Sequence, residues 1–403
     1  MKANQNAVTR RIFLKGNAAM AVAAGMASNH PSEMQKNSPA STKGVSLREK
    51  FFGCIAGCHV GSSMGAAVEG WSWENIEKKY GTLDKLMPYQ AYGSGWLREP
   101  GTTEDGVERQ KLMITAIIEK QDRVNAEDIR KIWVRDIKPE SAGKVSEPFE
   151  ADLLAMAKTP MPAIDLGRYC DYSGLVSLAR SCHPIGLINA GDVDGAMADV
   201  YEVGQLYQTT NSRGILWGAV TAVAIAAATK PGATVDSVIG TIFDTFDKTD
   251  KRFVKGGGVV REIERALKAT ANCRDFRDMR QVFDSIYSGR GIPYAHSYAN
   301  EVVSKAICVF KMVKGHAMDA MIASVNMGPD TDCLASIAAG ISGALTGGGS
   351  LRGEIIKQVD YATSLNKYTN SQRTLRATSD GLYEAYKTRL RRMKAFVEEM
   401  EQA

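Results

Sequence analysis

An all-α fold, as one compact helical domain over residues 46–362, is predicted by three observations. No stretch shows a sustained alternation of apolar and polar residues. Apolar residues instead recur at three- and four-residue spacings in segment after segment. Two segments, 53–65 and 334–344, are built from glycine, alanine and small apolar residues, the composition of helices that pack at close range. With 403 residues the chain has ample material for such a core.

The N-terminus stands apart from that domain. Thr9-Arg10-Arg11-Ile12-Phe13-Leu14-Lys15 has the pattern of a twin-arginine export signal, and the run Ala18 to Ala27 is too short and too alanine-rich to span a membrane stably. Residues 1–27 are therefore expected to be a twin-arginine signal peptide, which places the mature protein in the periplasm or outside the cell. Residues 28–45, rich in Ser, Pro, Asn and Lys, are expected to be a flexible spacer. The first 44 residues carry six basic side chains against one acidic, which accounts for the whole net charge of +5 and leaves the rest balanced. The basic balance thus gives no indication of a nucleic-acid partner. Seven cysteines form no Cys-x-x-Cys pair and match no zinc module.

From Ser46 to Glu69, Gly53, Gly57, Gly61 and Gly65 recur every four residues and line one face of a helix. Arg48, Glu49, Lys50 and His59 leave its apolar span too short for a membrane, so a core helix is expected. Glu69, at its end, is either a helix-end charge or a functional carboxylate. The section from Tyr89 to Arg98 reads as loop. Thr103-Glu104-Asp105 then sits on the turn that opens a helix with a stripe at Val107, Met113 or Ile114, Ile117 and Ile118. Helical patterns follow at 126–134, 149–157, 175–189 and 301–313. Fourteen nearly unbroken apolar residues, 215–228, suit a buried helix rather than a membrane crossing. Gly256-Gly257-Gly258 has no phosphate-loop lysine after it and reads as a turn. An amphipathic C-terminal extension, 363–403, carries the stripe Leu382, Tyr386, Leu390, Met393, Val397 and Met400.

The stretch Asn326-Met-Gly-Pro-Asp330-Thr331-Asp332-Cys333 holds the sharpest chemical signal. In mid-helix, Asp330 and Asp332 would point about 200° apart. In a turn at a helix N-terminus they converge, where the helix dipole tolerates negative charge. Convergent carboxylates beside a small-residue helix suit a hard cation. The competing reading is an Asp N-cap with a solvated neighbour. A shared metal pair requires the 103–105 and 330–332 carboxylates to lie within about 10 Å of each other.

Three blocks together resemble the ADP-ribosylglycohydrolase family: the glycine helix ending Gly65-Ala-Ala-Val-Glu69-Gly70, Thr103-Glu104-Asp105-Gly106, and Gly328-Pro-Asp330-Thr-Asp332-Cys333. Pro184-Ile-Gly-Leu187 and the 215–228 helix fit as well, so the resemblance covers most of residues 46–350. It implies an all-α fold and two magnesium or manganese ions between the second and third blocks. It implies Thr103, Glu104, Asp105, Asp330 and Asp332 as ligands, with Cys333 where the family has a ligating threonine. It also implies Glu69 as the carboxylate near the site, so Glu69 and Asp105 are the candidate catalytic groups. Three departures stand out: Glu104 replaces the usual Asp, Ser62 the usual acid of the glycine helix, and Cys333 the threonine. A thiol is a poor ligand for a hard cation, which weakens the second ion. The implied function is hydrolysis of a ribofuranosyl bond in a small-molecule or glycosidic substrate. Another furanosyl glycoside or nucleoside outside the cytoplasm, or a binding protein that has lost turnover, are the alternatives.

Overall fold

The computed structural model describes residues 42, 44–90, 97–138, 148–170, 173–210, 212–253, 258–287, 297–365, 369 and 371–402. The expected signal peptide, nearly all of the spacer, and Gly256 and Gly257 lie outside these residues; Gly258 stands at the N-cap of the Val259–Ala269 helix. The described residues form an α-helical domain with almost no strand. The small exception is a hairpin in which Tyr89 pairs with Arg98 and Gln90 with Leu97. Strands of two residues cannot display alternation, so no sequence pattern marks them.

The centre of the domain is the contact between the Leu47–Gly65 helix and the Thr331–Thr346 helix. Their backbones meet directly. A Cβ added to Gly53 would stand 2.5 Å from the Gly343 oxygen, one on Gly57 2.4 Å from the Ala339 oxygen, and one on Gly61 2.6 Å from the Ala335 oxygen. The partner numbers fall by four as the glycine numbers rise by four, so the helices run antiparallel in one register. That register has a consequence at its end: Gly65 lies on Thr331 and Asp332, with its absent Cβ 2.4 Å from the Asp332 nitrogen. The end of one helix is thereby fixed against the start of the other, which brings Glu69 beside Asp330 and Asp332.

By length and composition, the Leu47–Val68 segment could cross a membrane, but 94% of its apolar window is buried inside the fold. The expected core helix over 215–228 is present as Arg213–Ala228, with almost every residue buried. Lys50 ties it to the glycine helix by donating to the Ala228 oxygen at 2.8 Å and to that of Lys230 at 3.2 Å. This capping satisfies carbonyls that have no partner within the helix.

The closing helix, Leu375–Glu401, is packed for only part of its length. Leu382 and Tyr386 are buried, and Tyr386 and Tyr383 meet Phe51 with ring centroids 5.7 Å and 5.5 Å away. Beyond them Leu390, Met393, Phe396, Val397 and Met400 are exposed. The predicted stripe is continuous in sequence, but the helix outruns the surface that covers its first half.

Candidate metal centre

Two helix starts face each other at this site. In the first, Glu104 occupies the N-cap of the Asp105–Lys120 helix and its Oε2 accepts from the Asp105 nitrogen at 2.9 Å. Ser62, on the glycine helix, accepts a longer bond from the Glu104 nitrogen at 3.4 Å. In the second, Asp330 occupies the N-cap of the Thr331–Thr346 helix, yet its side chain makes no capping bond. The Thr331 hydroxyl donates to the Gly65 oxygen at 2.8 Å, and the Gly70 nitrogen donates to the Pro329 oxygen at 2.8 Å. The loop ahead is tied to the chain after the glycine helix. Gly328 has φ +50°, and a Cβ there would stand 2.6 Å from the Trp71 oxygen. Asn326 holds the Leu83 segment through both backbone groups of that residue, at 2.9 and 2.8 Å.

This geometry decides between the two readings of Asp330 and Asp332. A capping aspartate would accept from the helix backbone, and a solvated neighbour would be exposed. Instead Asp330 is 4% exposed, Asp332 is 1% exposed, and neither oxygen of Asp330 nor Oδ1 of Asp332 has a hydrogen-bond partner. Buried carboxylate oxygens without partners are costly unless a ligand completes them. Other acidic side chains lie within a few ångströms. Glu69, Glu104 and Asp332 each bring an oxygen within 4.8 Å of the other two, and one oxygen each of Asp330 and Asp332 lies as close to the other and to the Cys333 sulfur. Asp332 belongs to both groups. The two ligand blocks, 225 or so residues apart in sequence, are thus well inside the expected 10 Å.

The same crowding governs protonation. Burial, then Asp332, Glu104 and Asp330, pushes the Glu69 carboxyl well above the usual carboxylate range. Burial and Asp330 do the same to Asp332, against the pull of Arg180. Burial and Asp105 raise Glu104 to about 7, opposed by Arg98. Without a cation, these groups hold protons that one would displace. Glu69 differs from the others in being only half-buried, at the rim of the cluster.

Other expected ligands are placed differently. The Thr103 hydroxyl donates to Glu108 at 2.5 Å and accepts from Lys111 at 2.9 Å, which leaves it one lone pair. Asp105 is buried and accepts from Arg180 Nη2 at 2.5 Å. Burial, Asp330 and Asp332 drive the Cys333 thiol well above its ordinary range, so it is a neutral thiol at pH 7 rather than the thiolate that ligates metals.

Two site residues had no sign in the sequence pattern. Arg98, at the base of the hairpin and 2% exposed, donates to Glu104 Oε1 at 2.7 Å and to the Tyr89 hydroxyl at 3.1 Å. Arg180, on the short Ser177–Ser181 helix, reaches Asp105 and comes within 3.8 Å of Asp332. Gly106, after the acidic turn, leaves room for it, since a side chain there would collide with Arg180. The nearby histidines do not offer acid–base chemistry. Burial lowers His59 to about 3 and His183 to about 4, and both are held by Gln110 in the core.

Comparison with known proteins fits this picture. A family model described as ADP-ribosylglycohydrolase matches residues 43–390. A protein of Archaeoglobus fulgidus described as uncharacterized is 25% identical over 307 residues, covering 74% of this chain and 88% of its own length. A solved structure described as an ADP-ribosylglycohydrolase-related protein complex superposes with a TM-score of 0.57 at 14% identity. It covers 84% of this chain and 99% of that one, a likeness of fold.

Proposed function

The chain belongs to the ADP-ribosylglycohydrolase family, a family of glycosidic-bond hydrolases, and from that premise we propose that it hydrolyses a ribofuranosyl bond, ADP-ribosyl or a related N- or O-glycosidic one, with a divalent cation. The observation that carries this reading is the set of unpartnered oxygens on Asp330 and Asp332, within reach of Glu69 and Glu104. Members of the family typically bind divalent metals, and oxygen donors of this kind suit magnesium or manganese. Glu69, Glu104, Asp330 and Asp332 would hold the ion. When bound, it supplies charge that grips the sugar hydroxyls and lowers the pKa of a water.

The protein's own residues supply the rest. Asp330 and Asp332 sit on a rigid helix start locked to the glycine helix, so the ligand geometry is set before substrate arrives. Glu69 is the acid at the rim, the one that solvent and a sugar can reach. Once cation binding has displaced its own proton, it takes the proton of the attacking water as the bond from the anomeric carbon to the leaving group breaks, and the leaving group takes up a proton from solvent. Asp105, expected as an alternative base, is turned to Arg180 and orients that side chain instead.

The twin-arginine pattern at 9–15 supports an exported protein and hence a substrate met outside the cytoplasm. A furanosyl glycoside or nucleoside is therefore the second substrate reading. A binding protein without turnover is the second functional reading, and Cys333 in place of a ligating threonine favours it. Hydrolysis assays with an ADP-ribosyl conjugate and with a chromogenic ribofuranoside, each with magnesium, manganese or chelator, test the proposal. Chelator-sensitive turnover lost in Asp330→Asn supports it; binding of both compounds with no turnover supports the non-catalytic reading.

A further inference from the structure

We propose that the Arg180 guanidinium takes the place of one of the two cations implied by the family resemblance, so that the site holds a single divalent ion. The inference rests on the cation reading above and sharpens it. A second ion shared between the two ligand blocks would have to lie about 2.1 Å from oxygens of both Asp105 and Asp332. Arg180 already connects those residues: Nη2 donates to Asp105 Oδ2 at 2.5 Å, and Nη1 lies 3.8 Å from Asp332 Oδ2. Nη1 also points at Cys333 Sγ, 3.5 Å away.

Three independent features of the chain agree with a built-in cation. The first is space. A Cβ on Gly106 would stand 2.4 Å from Arg180 Cδ and 2.6 Å from Nε, so the start of the Asp105–Lys120 helix is left open for the arginine. The second is donor type. The sulfur of Cys333 is a poor ligand for a hard cation but serves as a weak acceptor beside a guanidinium. The third is charge. Five acidic side chains stand at the end of the glycine helix and the two facing helix starts, Glu69, Glu104, Asp105, Asp330 and Asp332. Arg98 and Arg180 pair with Glu104 and Asp105, leaving three negative charges. One divalent ion leaves a single negative charge. A second would reverse the sign and sit against a guanidinium that cannot lose its proton.

The unpartnered oxygens, both of Asp330 and Oδ1 of Asp332, belong to a cluster in which Asp332 also lies beside Glu69 and Glu104. Arg180 therefore supplies a fixed positive charge that no chelator removes, facing the same space as the exchangeable ion.

The test is manganese content of the full chain by elemental analysis, with electron paramagnetic resonance of the same samples. The expected wild-type result is one manganese per chain with an uncoupled, hyperfine-split signal. Arg180→Lys, which keeps the charge, should stay at one. The double substitution Arg180→Ser with Cys333→Thr should rise towards two and show exchange coupling. Two coupled ions in the wild type would overturn this inference while leaving the cation reading intact. No ion in the wild type would remove both. The wild-type count decides even if a variant fails to fold.

Discussion

Gly65 and Asp332 are in backbone contact: a Cβ on the glycine would stand 2.4 Å from the aspartate nitrogen. The fold and the candidate site are joined at this point. The four-residue spacing of glycines that packs the two central helices also fixes where the acidic helix start lies. Packing and chemistry can therefore be perturbed separately along one helix.

Substitutions far from the site should affect stability alone. Gly57→Ala puts a Cβ 2.4 Å from the Ala339 oxygen, against backbone that cannot yield. A loss of about 1–3 kcal/mol is expected, as for other overpacked cores. Gly240, in the Val235–Phe253 helix, has nothing within 4 Å of its would-be Cβ. Gly240→Ala should stabilise by about 0.5–1 kcal/mol. Thermal or denaturant unfolding of the two variants measures both signs.

Asp330→Asn should raise the melting temperature of the metal-free protein. It removes a buried carboxyl oxygen that has no protein partner. Were Asp330 serving as a helix cap, the cost of losing a good cap would be about 0.5–2 kcal/mol, more than a conservative Asn would incur, and no variant there would gain stability. Cation affinity should fall by more than the ~10–100-fold typical of second-shell changes.

The metal-free protein should lose stability as pH rises from about 4.5 towards 7. Glu104 titrates at about 7 in the fold against an ordinary 4.5, so in that window the folded state holds a proton that the unfolded chain has released. This share of stability is fully present below the lower value and is gone above the upper one. The difference between wild type and Glu104→Gln isolates it, with an upper size of about 3 kcal/mol. Cation affinity should show the opposite slope and increase through pH 7, because the ion must displace that proton.

Arg98→Met should shift that cation-binding profile to higher pH. Arg98 donates to Glu104 at 2.7 Å and holds its carboxyl down. Without it, the carboxyl keeps its proton further into the alkaline range. Magnesium titrations between pH 6 and 9 would show the displacement; an unchanged midpoint would mean that Glu104 is not a ligand.

The sequence discloses periodic features well and long-range partners poorly. The glycines at 53, 57, 61 and 65 announce a close-packed face because their spacing is the helical repeat. That Ala335 and Ala339 meet them does not follow, since any small-residue helix would serve. The two acidic helix starts are visible as local turn chemistry, and each alone fits a simple cap. Their convergence comes only from the fold. Arg98 and Arg180 were invisible for a related reason. A single arginine in a helical or loop pattern reads as a surface residue, and the partner of Arg180 lies 75 positions away. Cys333 was recognisable as an odd ligand, but its meaning depends on the guanidinium beside it. The closing helix misled in the other direction. Its stripe is uniform from Leu382 to Met400, although burial stops near Arg389.

Asp332 belongs to both acidic groups, so a single cation site would depend on it. Calorimetric titration of manganese into the full chain and into Asp332→Asn tests that dependence most directly. Saturable binding with proton release is expected in the wild type and none in the variant, with both proteins folded. Equal binding in the two proteins, or no binding in the wild type, would contradict it.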